Sequence, residues 1–206
     1  MNINSLKMDR SASYGNIACV ILSGGFSQRM QVHKALLPFS KTECFLQHLI
    51  SVYNEAGINN ISVVLNHDIE LGVGFNLYGA VITLNHNPNL GRLYSLQLGL
   101  GALPDIDFCF VQNVDSPFVT KELIGSLITS INGAENITPA YNGKGGHPIL
   151  ISKNAIDEIR NERNYEKSLK DVLSKYTRHK VEMGDGLCLV NINTPEEYKM
   201  HFGAVT

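Results

Sequence analysis

The sequence predicts an α/β protein, a three-layer α/β/α sandwich built on a mostly parallel sheet. Three observations carry this. Continuous apolar runs such as Ile17 to Leu22 (IACVIL) suit strands covered on both faces. Segments apolar at helical spacing alternate with these runs as far as about residue 132. Alternating strand and helix implies right-handed crossovers, and so parallel neighbours.

The elements follow in order. The first strand, Ile17 to Leu22, stops at Gly24-Gly25. Glu43 to Ala56 is a helix with Leu46, Leu49, Ile50 and Tyr53 on one face, Thr42 as its N-cap and Gly57 as its stop. Ile61 to Asn66 and Ala80 to Leu84 are rich in β-branched residues and read as strands. Arg92 to Leu103 is helical through Leu93, Leu96, Leu100 and Leu103, Phe108 to Gln112 is a buried strand, and Thr120 caps a helix running to Ile131. The pattern then becomes mixed. Asn136 to Ala140 and Pro148 to Ile151 are strands flanking the glycine-rich turn Asn142 to Gly146. Asn154 to Arg160 and Ser168 to Tyr176 are helices, while His179 to Met183 and Leu187 to Ile192 are strands. Pro195 to Phe202 closes the chain as a helix with Pro195 in its first turn.

Composition narrows the function classes. A chain of 206 residues is long enough to bury roughly 70% of its unfolded surface. With 44% apolar and 17% charged residues it is not intrinsically disordered. Lys plus Arg (17) nearly balances Asp plus Glu (19), which argues against a nucleic-acid partner. Cys19, Cys44, Cys109 and Cys188 include no C-x-x-C pair, so a reducing cytoplasm is expected. No apolar run approaches the roughly 20 residues of a membrane span. Residues 1–16 read as a polar tail without a signal-peptide core, and 17–206 as one domain.

The chemistry concentrates after the first strand, in Leu22-Ser23-Gly24-Gly25-Phe26-Ser27-Gln28-Arg29-Met30, followed by Lys34. Glycines let backbone N–H groups approach a ligand, and successive loop amides form an anion-binding concavity. Arg29 adds a charged fork and Lys34 a point charge for phosphate oxygens. The loop sits where open α/β sheets bind ligands, at the carboxyl end of a strand. It is neither G-x-x-x-x-G-K-[ST] nor G-x-G-x-x-G, and an ordinary strand-to-helix turn with two surface cations is the alternative. Asp115 also follows an apolar strand, so its carboxylate belongs at the same edge. It suits magnesium, which takes one or two carboxylates plus substrate phosphates; a helix N-cap is the competing role. Ser95 starts a helix whose N–H groups favour anions. Asn66 ends a strand where it can read a base edge.

The segment LSGGFSQRMQVHKALL resembles L-[AS]-G-G-x-S-x-R-M-G-x-x-K-x-L-L, the signature of the MobA-like NTP transferases that act on molybdenum cofactor; Gln31 stands where that pattern has glycine. Further fragments resemble the same family in order. Gly91 to Leu100 is similar to G-x-x-x-S-L-x-x-G-L of the cytidylyl-transferring branch, Asp115-Ser116-Pro117 to D-x-P, and Pro139 to Pro148 to P-x-Y-x-G-x-x-G-H-P. Asn191-Ile192-Asn193-Thr194-Pro195-Glu196 is similar to the closing motif, N-x-N-T-P-E in the guanylyl branch and D-x-D-T-P-E in the cytidylyl branch.

The resemblance implies the glycosyltransferase A-like nucleotidyltransferase fold and a Mg2+-dependent transfer of NMP from an NTP, CTP ahead of GTP, to a phosphorylated acceptor. Molybdopterin or its molybdenum-loaded form is the acceptor it suggests, and a molybdoenzyme the transient partner. Leu22, Ser23, Gly24, Gly25, Asn66 and Ser95 would contact nucleotide, Arg29 and Lys34 the triphosphate, Asp115 and Asn193 the metal, and His147 the acceptor; the competing roles are a turn residue before Thr194 for Asn193 and a structural hold on the Gly145-Gly146 turn for His147. A sugar- or alcohol-phosphate nucleotidyltransferase and a non-catalytic NTP-binding domain are the alternatives.

Overall fold

The computed structural model describes residues 16–23, 33–66 and 75–203. Strand β1 (Ile17–Ser23) leads to helix α1 (Phe45–Glu55), and β2 (Asn60–Asn66) is followed by β3 (Val81–Asn85) and α2 (Gly91–Gly101). Then come β4 (Phe108–Asn113), α3 (Lys121–Thr129), β5 (Asn136–Tyr141), the short β6 (Lys144–Gly145), β7 (Ile149–Ser152), α4 (Lys153–Asn161) and α5 (Leu169–Leu173). Strand β8 (Arg178–Glu182) and helix α6 (Pro195–Phe202) complete the described order.

The strands form one sheet in the order β3-β2-β1-β4-β7-β5-β6, with β8 pairing β5. Strands β1 to β4 are mutually parallel where they pair. Strand β7 runs antiparallel to both β4 and β5, and β8 parallel to β5. The mostly parallel sheet with a mixed C-terminal portion is thus the expected architecture.

The pleat of β1 explains its unbroken apolar run. Cys19 and Ile21 point to the face covered by α1 and α3, where they meet Leu46, Leu49, Ile50, Ile124 and Leu127. Ala18, Val20 and Leu22 point the other way, into a second core with Leu93, Leu96 and Leu100 of α2 and Ile156 and Ile159 of α4. A strand buried on both faces leaves no position for a polar side chain. Gly99 lets α2 lie close against this sheet, since a Cβ there would stand 2.5 Å from Val20 Cγ1 and 2.8 Å from Val64 Cγ2.

Two local expectations are corrected. Thr42 does not cap α1. The Ser40 hydroxyl accepts from the Thr42 and Glu43 N–H groups, so the chain turns first and the helix starts at Phe45, with Gln47 Oε1 accepting from the Cys44 N–H. Leu187 to Ile192 is not a strand. Residues Leu187–Leu189 form a 3-10 turn. The place beside β5 is already taken by β8, and the Cys188 carbonyl accepts from His147 N–H at 2.9 Å instead of joining a ladder. Gly146 is needed at that crossing, because a Cβ there would lie 2.1 Å from the Cys188 carbonyl oxygen.

Ser23, Asn66, Asn85 and Asn113 are the last residues of the four parallel strands, so they share the carboxyl edge. The chain passes outward from β1 to β2 and β3, then returns to β4 on the other side of β1. That reversal is the topological switch point, and it opens the crevice where such sheets take ligands.

Candidate active site

Three side chains from distant parts of the sequence converge at this edge. Lys34 Nζ donates to Asp115 Oδ2 at 3.2 Å and to Asn193 Oδ1 at 2.6 Å. Lys34 opens a short 3-10 turn after β1, Asp115 follows β4, and Asn193 precedes the cap of α6. The lysine and aspartate side chains keep 17% and 26% of their exposure, enough for a ligand to reach both.

Each position is braced from below. The buried Gln112 side chain at the end of β4 accepts from Tyr53 Oη at 3.0 Å and donates to the carbonyls of Asn113 and Ser116 at 2.7 and 2.9 Å. This clamp holds the turn that carries Asp115. Ile192 N–H donates to the Asp115 carbonyl at 2.7 Å, and Ser116 Oγ donates to Asn191 Oδ1, tying the closing segment to the same turn. Asn193 and Thr194 N–H groups both donate to Glu197 Oε2, while Glu197 N–H donates to Thr194 Oγ1. This is a reciprocal capping box. Tyr198 Oη then donates to the Pro38 carbonyl at 2.7 Å, fixing α6 to the segment just after Lys34.

His147, on the β6–β7 connection, lies within electrostatic reach of Asp115 and Arg92. Burial pushes its pKa down to about 4, the positive Arg92 pushes the same way, and Asp115 opposes both. Its Nδ1 is buried and has no hydrogen-bond partner among the described residues. Arg92, in the first turn of α2, was not singled out by sequence reasoning. It is exposed, and desolvation draws its pKa down against the pull of Asp115. The available signal was its place beside the helix N-terminus.

The other predicted positions separate clearly. Leu22 and Ser23 end β1 and are nearly buried. Asn66 is 1% exposed and its Oδ1 lacks a partner among the described residues. The Ser95 hydroxyl accepts from Asn85 Nδ2 at 3.0 Å and donates to the Gly91 carbonyl, so it braces the first turn of α2 against β3. Gly24, Gly25 and Arg29 lie outside the described residues. Among the described residues no group of three or more His, Cys, Asp and Glu side chains could by itself hold a metal ion. No described helix is long and apolar enough to cross a membrane.

The MobA-like NTP transferase domain matches residues 19–181, which spans both the lysine and the strand-tip aspartate. The chain belongs to the MobA-like NTP transferase family. The transferase is 25% identical over 194 residues to the molybdenum cofactor cytidylyltransferase of Escherichia coli (strain K12), covering 88% of this chain and 93% of that protein. Its fold superposes on Rv0371c of Mycobacterium tuberculosis H37Rv in complex with manganese, with a TM-score of 0.71 at 18% identity over 92% of this chain and 100% of that one. Molybdopterin-guanine dinucleotide biosynthesis protein A of Archaeoglobus fulgidus superposes with a TM-score of 0.64 at 16% identity, over 89% and 95% of the respective chains. The expected nucleotidyltransferase fold and enzyme class are borne out.

Proposed function

We propose that the transferase moves CMP from CTP to the phosphate of a molybdopterin-type acceptor, releasing pyrophosphate, with Mg2+ held by Asp115 and Asn193. The observation that carries this reading is the convergence of Asp115 Oδ2 and Asn193 Oδ1 on one cationic head group at the carboxyl edge of the sheet. Two hard oxygens, one of them charged, suit magnesium, whose remaining positions are filled by water and substrate phosphates. The Lys34 ammonium already stands where a cation is favoured. When bound, the ion supplies Lewis-acid stabilisation of charge on the triphosphate.

The protein's own groups do the rest. Arg29 and Lys34 orient the triphosphate, with nucleotide contacts from Leu22 and Ser23 at the end of β1 and from Gly24 and Gly25 next in sequence. An acceptor phosphomonoester oxygen is already anionic when it attacks the α-phosphorus, so no side chain has to remove a proton, and catalysis rests on positioning and charge. Asn66 Oδ1, buried and unpartnered among the described residues, is suited to accept from the exocyclic amine of cytosine, which uracil lacks. Ser95 contributes by fixing the α2 N-terminus, and His147 meets the acceptor as a neutral imidazole.

CTP is placed ahead of GTP because the middle motifs and the Escherichia coli relative are of the cytidylyl kind. The test is pyrophosphate release across four NTPs, each with molybdopterin and with common sugar phosphates. Turnover with molybdopterin and CTP supports the reading. Turnover only with a sugar phosphate moves the protein to that class, and binding without turnover makes it a nucleotide-binding domain.

A further inference from the structure

We propose that Lys34 is an exchangeable counter-ion. Before nucleotide binds, its ammonium occupies the place between Asp115 and Asn193 that a divalent cation takes afterwards, and it is released to the triphosphate when that cation arrives. The proposal rests on the nucleotidyl-transfer reading above and adds an order of events to it.

The geometry makes the two cations mutually exclusive. Lys34 Nζ lies 3.2 Å from Asp115 Oδ2 and 2.6 Å from Asn193 Oδ1. A magnesium ion held by the same two oxygens on the side Lys34 approaches, at about 2.0–2.1 Å from each, would stand between them and the nitrogen, well inside the separation two cations tolerate. Two positive centres cannot share that space, so metal and lysine compete for one position.

The charges explain why a lysine is a sufficient stand-in here. Asp115 carries one negative charge and Asn193 none, so a single ammonium balances the pair. With a carboxylate at both positions one lysine would leave a negative charge facing the crevice. The neutral Asn193 is thus matched to Lys34, whose ammonium is the charge in direct contact with the part-buried Asp115, while Arg92 acts on the same carboxylate without a direct contact. Lysine suits the exchange, being a point charge on a flexible four-carbon stem.

The consequence is a coupling between ligands. Metal alone must displace Lys34 from Asp115 and Asn193 and so binds weakly. Nucleotide brings phosphate oxygens that receive the lysine and also supply metal ligands, so each ligand prepares the site for the other. By linkage the effect is reciprocal.

Titration of the full chain with Mn2+, followed by electron paramagnetic resonance of the free ion, tests this without turnover. Lys34→Met should bind Mn2+ about tenfold more tightly than wild type in the absence of nucleotide, since one competing charge is gone. A non-hydrolysable CTP analogue should tighten Mn2+ binding by a larger factor in wild type than in Lys34→Met. Should thermal unfolding show that Lys34→Met does not fold, Lys34→Gln carries the same expectation. Nucleotide-free Mn2+ affinity that is unchanged or weaker in the folded variant overturns the exchange and leaves the phosphate role of Lys34 standing. Asp115→Asn should lose Mn2+ binding with and without nucleotide. Wild-type affinity in that variant would instead overturn the metal site itself, and with it the reading on which the exchange depends.

Discussion

Replacing Gln112 by Leu should damage both the fold and the site, because one buried side chain supports both. Leucine is close in volume and apolar, so the substitution isolates the three hydrogen bonds of the amide. Their losses are unequal. The Asn113 carbonyl keeps the Ser116 N–H at 3.2 Å, so it is not orphaned. Tyr53 is fully buried and its Oη loses its Gln112 acceptor, retaining a contact with the Cys19 thiol among the described residues. The Ser116 carbonyl loses its amide donor beneath a residue that is 3% exposed. Two buried groups left short of partners at ~1–2 kcal/mol each give a destabilisation of about 2–4 kcal/mol. For a chain of this size that lowers Tm by roughly 5–12 °C. Because the Ser116 carbonyl anchors the turn carrying Asp115, kcat/KM should also fall, by about tenfold or more, at temperatures where the variant is fully folded. Urea denaturation and pyrophosphate release on the same preparation measure both. A variant whose Tm stays within a degree and whose kcat/KM stays within a factor of two would refute the clamp.

Other expectations follow from the same geometry. Lys34→Ala and Arg29→Ala should each cost on the order of 2–4 kcal/mol in the transition state, read as kcat/KM with the true acceptor at temperatures where thermal unfolding shows the variant to be folded. Asp115→Asn removes the one protein charge on the metal and should nearly abolish activity at any magnesium concentration. Asn193→Asp adds a carboxylate and should lower the magnesium concentration giving half-maximal rate; identical magnesium titrations for the two variants would count against the asymmetry. His147 carries a pH signature. Its folded pKa of about 4 lies below the unfolded value of about 6.5, so the fold favours the neutral ring. That stabilising share is complete above about pH 6.5 and is lost as the pH falls towards 4, amounting to at most about 3 kcal/mol. Urea midpoints measured between pH 4 and 7 should fall less steeply for His147→Asn than for wild type, and parallel curves would remove His147 as the source.

Much of this protein is determined by its sequence alone, wherever the cause is local or periodic. The apolar run of β1 announces a strand covered on both faces, since every other residue must face one of two cores. Thr120 and Thr194 are legible as caps because a hydroxyl three residues before an N–H needs no distant partner. Lys34, Asp115 and Asn193 could each be picked out by residue type and motif. Their meeting could not, because Lys34 finds its partners 81 and 159 residues away along the chain. Tertiary packing decided the rest. Thr42 lost the cap of α1 to a turn built by Ser40, and Leu187 to Ile192 lost strand pairing because β8 already occupied the neighbour's edge. Gln112 and Tyr198 were invisible as site residues, since a buried amide or hydroxyl acquires its role only from the carbonyl that a different element brings within reach. Local propensity and period are written in neighbouring residues, whereas the pairing of distant polar groups exists only once the sheet has set their separation.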